Sequence, residues 1–205
     1  MILGTVLVLG ALSLFAFNQM ENNEAGKSVD NILPQVVERI GEPASDAENG
    51  GEETPPSVPD PYDPEMTEVE IDGYGYIGYI SIPSVSLELP VMSQWDYPRL
   101  KIAPCRYAGS TKTNNLVLCA HNYDRHFGPI RILTPGDEVF FTDMDGRVWS
   151  YEVETVEVLQ PTDIEEMTDG GYDLTLFTCT YGGATRVTVR CGRVIAESTG
   201  EESDR

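Results

Sequence analysis

From Tyr74 onward the apolar residues come in runs cut off by turn residues, and this pattern restricts the chain to a β architecture. The runs are Tyr76–Ile82, Leu87–Met92, Asn115–Ala120, Glu138–Thr142, Val148–Val158, Leu174–Cys179 and Thr185–Ile195. Pro135-Gly136-Asp137 and Asp143-Met144-Asp145-Gly146 punctuate them. Asp145-Gly146 between two apolar runs is a hairpin signal, because Asp and Gly tolerate the turn conformation that matches strand twist. Asp143-x-Asp145-Gly146 also opens like a Ca²⁺ loop, but the later ligands are missing, so it is taken as a turn. Helical periodicity is scarce here, and no internal repeat is present. Many short strands leave many open edges unless the sheet closes on itself. The expectation is a mainly β domain with few helices, in a closed or nearly closed barrel.

The residues ahead of this domain differ in kind. Met1–Phe17 carries no charge, and Asn18, Gln19 and Met20 add none. About 20 helical residues at ~1.5 Å each match a ~30 Å hydrocarbon core, so residues 1–20 are expected to be a transmembrane signal-anchor. No small-x-small cleavage site stands near Phe17–Glu21, which favours an uncleaved anchor. Acidic rather than cationic residues follow, which favours a single pass in the cell membrane with the β domain outside. Residues 21–40 are amphipathic, with Val29, Ile32, Leu33, Val36, Val37 and Ile40 on one helical face. Ser28 stands where a cap is needed, and Pro34 is placed to bend the segment. It either docks on the β domain or stands as a stalk.

Residues 41–73 form an acidic, Pro-rich linker. Gly41–Asp72 holds 11 acidic residues, six Pro and no Lys or Arg. Such a stretch has little to bury and is expected to be a stiffened, solvated spacer holding the domain off the bilayer. The folded domain is placed at 74–197, with a tail at 198–205. Over the whole chain 34 acidic residues face 13 basic ones, a formal charge of -21, which excludes general nucleic-acid binding.

Two strand ends carry the chemistry. One apolar run, Asn115–Ala120, ends at His121 and Asn122; another, Leu174–Cys179, ends in a Cys before Gly182-Gly183. After that turn, Arg186, Thr188 and Arg190 alternate with Val187, Val189 and Cys191, so the two Arg share a face. A tight loop can bring Arg186 beside Cys179. A thiol near His and Arg is an activated nucleophile, and a guanidinium steadies an oxyanion. Cys191 falls on the Val face, and His126 is taken as an ordinary loop residue. Cys105 and Cys119 either pair or stay reduced. Cys119, His121, Cys179 and Cys191 make a conceivable Zn²⁺ set, but no C-x₂-C knuckle is present, so neither metal nor cofactor is expected.

The stretch LTLFTC, Leu174–Cys179, resembles the TLxTC signature of sortases. Tyr76–Pro90 resembles the opening of the sortase barrel, Leu116–His121 its His-bearing strand, and Arg186-Val187-Thr188-Val189 the strand with the family's essential Arg. Ala120 stands where the family usually has Gly. The resemblance spans Tyr76–Val194 and implies a mainly β, sortase-type closed barrel of about eight strands with few short helices, and a cysteine transpeptidase. Cys179 is the implied nucleophile, with His121 and Arg186 as partners and Arg190 as the alternative Arg. Thr178 and Asn122 are candidate substrate contacts. The implied partners are an LPXTG-like sorting-signal peptide and an amine of peptidoglycan or of a pilin Lys. Asp60-Pro61-Tyr62 resembles the Asp-Pro-aromatic lid of pilin-type sortases. Two other readings stand beside this one: an L,D-transpeptidase-like acyl-transferase, and a catalytically inactive peptide-binding module.

Overall fold

The computed structural model describes residues 2–41 and 65–195. Asp60 and Tyr62, and with them the suggested lid, lie outside the described residues. A long helix, α1 (Ile2–Glu38), precedes nine strands: β1 (Val69–Ile71), β2 (Tyr74–Ile82), β3 (Leu87–Met92), β4 (Cys105–Ala108), β5 (Leu116–Cys119), β6 (Glu138–Asp143), β7 (Val148–Leu159), β8 (Leu174–Cys179) and β9 (Arg186–Arg193). Two helices of one turn, α2 (Tyr97–Leu100) and α3 (Ile164–Thr168), sit between strands.

The strand order is β1-β2-β3-β4-β5-β8-β9-β7-β6, and β2 also pairs with β6, so β2 to β9 close into an eight-stranded barrel. Closure uses the length of β2. Its first residues pair with β1, and Gly78–Ser81 pair with β6. Gly78 is required at this seam: it has φ +142°, and a Cβ there would lie 2.0 Å from the Thr142 carbonyl oxygen. Alternation along the strands turns Ile80, Ile82, Leu89, Val91, Leu118, Phe141, Leu176 and Val189 into one buried core. The Asp145-Gly146 hairpin forms between β6 and β7. Asp143 organises it by accepting from the Arg147 N–H (2.9 Å) and the Trp149 indole N–H (2.7 Å), which commits its carboxylate to the turn.

Two expectations are corrected. First, the folded domain starts ahead of residue 74. Met66, Val69 and Ile71 are buried, while Glu68 and Glu70 point outward. The alternation of a short strand was masked by the acidic composition of the longer stretch. Second, α1 runs without a break across residue 20, so the apolar segment and the amphipathic segment are one helix. Ser28 is therefore no cap, and its hydroxyl donates to the Glu24 carbonyl. Pro34 lies inside the helix, which continues to Glu38. The helix docks through Ala25, Val29, Ile32 and Val36, whereas Val37 is exposed. Of the acidic segment, residues 42–64 lie outside the described residues, and its two described flanks lie together. At one end the Gly41 N–H donates to the Met144 carbonyl (2.9 Å), and at the other the Thr67 hydroxyl donates to Asp145 (2.7 Å). Both ends meet the same β6–β7 turn.

Candidate active site

Register decides what meets at the end of β8. Strand β5 lies parallel to β8, with Cys119 opposite Phe177. Two residues further along each chain are His121 and Cys179, so both emerge at one rim of the barrel. On the other side β9 runs antiparallel to β8, and Cys179 is the direct partner of Arg186. His121, Cys179 and Arg186 thus come from three adjacent strands, with the Cys in the middle. Thr178, buried, ties two of these ends by donating its hydroxyl to the Ala120 carbonyl (2.8 Å), and Ala120 N–H donates to Phe177 (3.3 Å). Asn122 lines the neighbouring cleft with Tyr181. Cys191 pairs with Leu174 at the far end of β8, which dismantles the conceivable Zn²⁺ set.

Cys179 is half-buried, and the other three Cys are buried free thiols. Burial pushes Cys105 and Cys191 up to about 12 and Cys119 higher still, so these three stay protonated. Cys105 and Cys119 are cross-strand partners. His121 has its pKa lowered, first by burial and then by the Lys101 cation, with Glu21 opposing. The neutral imidazole is therefore the form present near neutral pH, and its buried Nε2 has no hydrogen-bond partner among the described residues. Its ring lies against Tyr123, with centroids 4.9 Å apart. Below the His loop Gly128 leaves no room for a side chain, since a Cβ would lie 2.6 Å from the Tyr123 carbonyl oxygen.

The two Arg of β9 do different work. Arg186 lines the cleft and donates from Nη1 to the Gly183 and Thr185 carbonyls, both at 3.1 Å. Arg190 is buried. Its guanidinium donates to Glu157 (2.8 Å), the Met167 and Glu166 carbonyls (3.3 and 2.6 Å) and the Thr175 hydroxyl (3.0 Å). It holds α3 onto the barrel. The cleft itself, about 220 Å³, is lined by Trp95, Tyr97, Tyr107, Met167 and Phe177 beside the three polar residues. Tyr107 packs between Trp95 and Phe177, at 5.3 and 5.1 Å. The sequence offered no sign of Trp95, Tyr97 or Tyr107, because isolated aromatics in a loop, a one-turn helix and a four-residue strand show no periodicity.

His126 is not an ordinary loop residue. It is fully buried behind Tyr123, and among the described residues neither ring nitrogen has a hydrogen-bond partner of normal geometry. Burial, reinforced by His121 and Arg125 and opposed by the Ile102 backbone, pushes it down to about 4. Above its ordinary value of 6.5 the ring is neutral in both folded and unfolded chains. Below that, the unfolded chain gains a proton that the native ring refuses, so stability falls as pH drops from 6.5 towards 4. A shift of this size corresponds to about 3 kcal/mol at its full extent. His126→Leu should lose roughly 2–3 kcal/mol less than wild type between pH 7 and pH 4.5 in urea unfolding followed by Trp fluorescence. Parallel pH profiles for the two proteins would show that the ring is not held neutral.

Comparison with known proteins agrees with this arrangement. The sortase domain family matches residues 80–194, more than half of the chain. Sortase A of Bacillus anthracis is 34% identical over 125 residues, covering 56% of this chain; the chain spans 57% of that relative's length. Among solved structures, sortase C1 from Streptococcus suis is similar with a TM-score of 0.52 and 29% identity, over 60% of this chain and 76% of that one. A lid mutant of sortase A from Corynebacterium diphtheriae matches with a TM-score of 0.52 and 26% identity, over 60% and 73%. A closed barrel with a Cys flanked by His and Arg on neighbouring strands, matched over this span, makes the chain a member of the sortase family.

Proposed function

We propose that the protein is a membrane-anchored cysteine transpeptidase acting on LPXTG-like sorting signals. The observation that carries this reading is the placement of Cys179 between His121 and Arg186 on three adjacent strands. The Cys179 sulfur attacks the scissile carbonyl, and its proton passes to the neutral His121 imidazole. Arg186 faces the negative charge that develops on the carbonyl oxygen. Collapse of the tetrahedral intermediate breaks the C–N bond, and the imidazolium returns the proton to the leaving amine. An incoming amine then attacks the thioester and frees the thiol. The apolar, aromatic cleft suits an extended peptide with a bulky apolar side chain. The acceptor amine belongs to peptidoglycan or to a pilin Lys. The apolar part of α1, whose side chains are exposed, supports anchoring in the cell membrane with the barrel outside.

The test is to incubate the full chain with a set of LPXTG-like peptides and follow its intact mass. An adduct equal to the N-terminal peptide fragment, released by hydroxylamine as a hydroxamate, is the expected result. Binding without adduct or hydroxamate for every peptide would instead identify a peptide-binding module.

A further inference from the structure

The catalytic barrel meets α1 at the edge of the apolar run. Val6, Leu7, Val8, Leu9, Leu12, Leu14, Phe15, Phe17 and Met20 are all more than half exposed, and Glu21 is the first charged residue. Contact with the barrel starts there. Glu21 accepts from Lys101 Nζ (3.4 Å) and from the Tyr123 hydroxyl (3.5 Å). Asn22 accepts from the Asp124 N–H (2.9 Å). A cleft continues down the helix below these contacts, with Phe15, Asn18 and Gln19 on one wall and His121, Asn122 and Tyr181 on the other. Phe15 precedes Glu21 by six residues, about 9 Å of helix. The β8–β9 loop therefore reaches alongside the apolar segment. The stretch of α1 between Ala11 and Ala25 contains neither Gly nor Pro, so no hinge separates the apolar half from the docked half.

We propose that the rim bearing the active site rests on the polar–apolar boundary of the bilayer, with Tyr181 as its interfacial contact. This rests on the reading of α1 as a membrane anchor. Tyr181 is 72% exposed and stands at the tip of the loop beside Gly182 and Gly183. An amphipathic ring left this exposed is what the headgroup boundary takes up. The Arg131 guanidinium lies 5.0 Å from the ring centroid and supplies a cation for lipid phosphate. A chain of charge -21 is repelled by anionic lipid, so the rigid helix, not the overall charge, sets this contact. Cys179 then works at the depth where a membrane-held substrate leaves the bilayer.

The experiment uses the full chain in mixed phosphatidylcholine–phosphatidylglycerol vesicles, in a Cys179→Ala background with the buried thiols left in place. Single nitroxides are attached at Tyr181→Cys, Leu9→Cys and Val148→Cys, and collision rates with oxygen and a water-soluble nickel chelate are measured. Val148 is exposed beside the β6–β7 turn, which is bonded to Gly41 beyond the other end of α1, and serves as the aqueous reference. The expected result is oxygen-dominated collision at Leu9, and a several-fold drop in nickel collisions at Tyr181 relative to Val148 with a matching rise in oxygen. Membrane depth at Leu9 with Tyr181 as open to nickel as Val148 overturns the inference and leaves the anchor intact. Nickel access at Leu9 itself overturns the anchor reading and the inference with it. Shielding of Tyr181 from both reagents means that protein covers it, a second copy of this chain being one case, and also overturns the inference.

Discussion

Cys179→Ala is expected to abolish peptide cleavage and amine transfer while leaving the thermal midpoint close to that of wild type. The side chain is half-buried at a strand end, outside the packed core, so loss of one sulfur atom opens no large cavity. No other thiol can replace it. Cys119 lines the same cleft, but burial holds its pKa far above the ordinary thiol range, and it remains the protonated, unreactive form. Cys105 and Cys191 are buried and raised in the same way. Cys119→Ala should therefore keep transfer within a few-fold of wild type. The two variants are compared for transfer of a labelled LPXTG-like peptide, with thermal unfolding measured alongside. Turnover surviving in Cys179→Ala, or lost in Cys119→Ala with the fold intact, would assign the nucleophile to the wrong strand.

Seven of the nine strands were legible because each carries enough apolar residues to show alternation or a buried run, and Leu87–Met92 and Leu174–Cys179 match the structure residue for residue. The two missed strands, Val69–Ile71 and Cys105–Ala108, are three and four residues long. A period of two cannot be recognised over one repeat, and the first was also hidden among acidic residues. The site divides in the same way. His121, Cys179 and Arg186 each stand at a strand end in a recognisable local pattern. Their adjacency depends on the parallel pairing of β5 with β8, which joins residues more than fifty positions apart and leaves no local trace. The burial of His126 was invisible for a related reason. Its neighbours Asp124 and Arg125 are exposed, so the local sequence is that of a surface loop, and the covering Tyr123 ring follows only from the fold.

The same reasoning separates the two Arg of β9, which the alternation alone left on one face. Arg186→Lys is expected to cut transfer by about 10²–10³, equivalent to ~2.7–4 kcal/mol of barrier, with little change in stability. Arg186 is the direct strand partner of Cys179, and its Nη1 is tied to the Gly183 and Thr185 carbonyls. Those bonds fix the plane of the guanidinium at the cleft, leaving its other donors for an oxyanion. An ammonium can satisfy the loop carbonyls or the oxyanion, but it cannot present a planar fork to both. Arg190→Lys should do the reverse. Arg190 is 2% exposed and holds Glu157, two backbone carbonyls of α3 and the Thr175 hydroxyl. One ammonium cannot reach all four, and each buried acceptor left unpaired costs about 1–3 kcal/mol. The expected outcome is a marked fall in unfolding free energy, with kcat largely kept in the folded fraction. Any activity loss should fall on KM, because α3 brings Met167 to the cleft wall. Peptide-transfer kinetics and urea unfolding of both variants decide the matter. If Arg190→Lys lowers kcat by the larger factor while Arg186→Lys mainly destabilises the fold, then Arg190 and not Arg186 faces the reacting carbonyl.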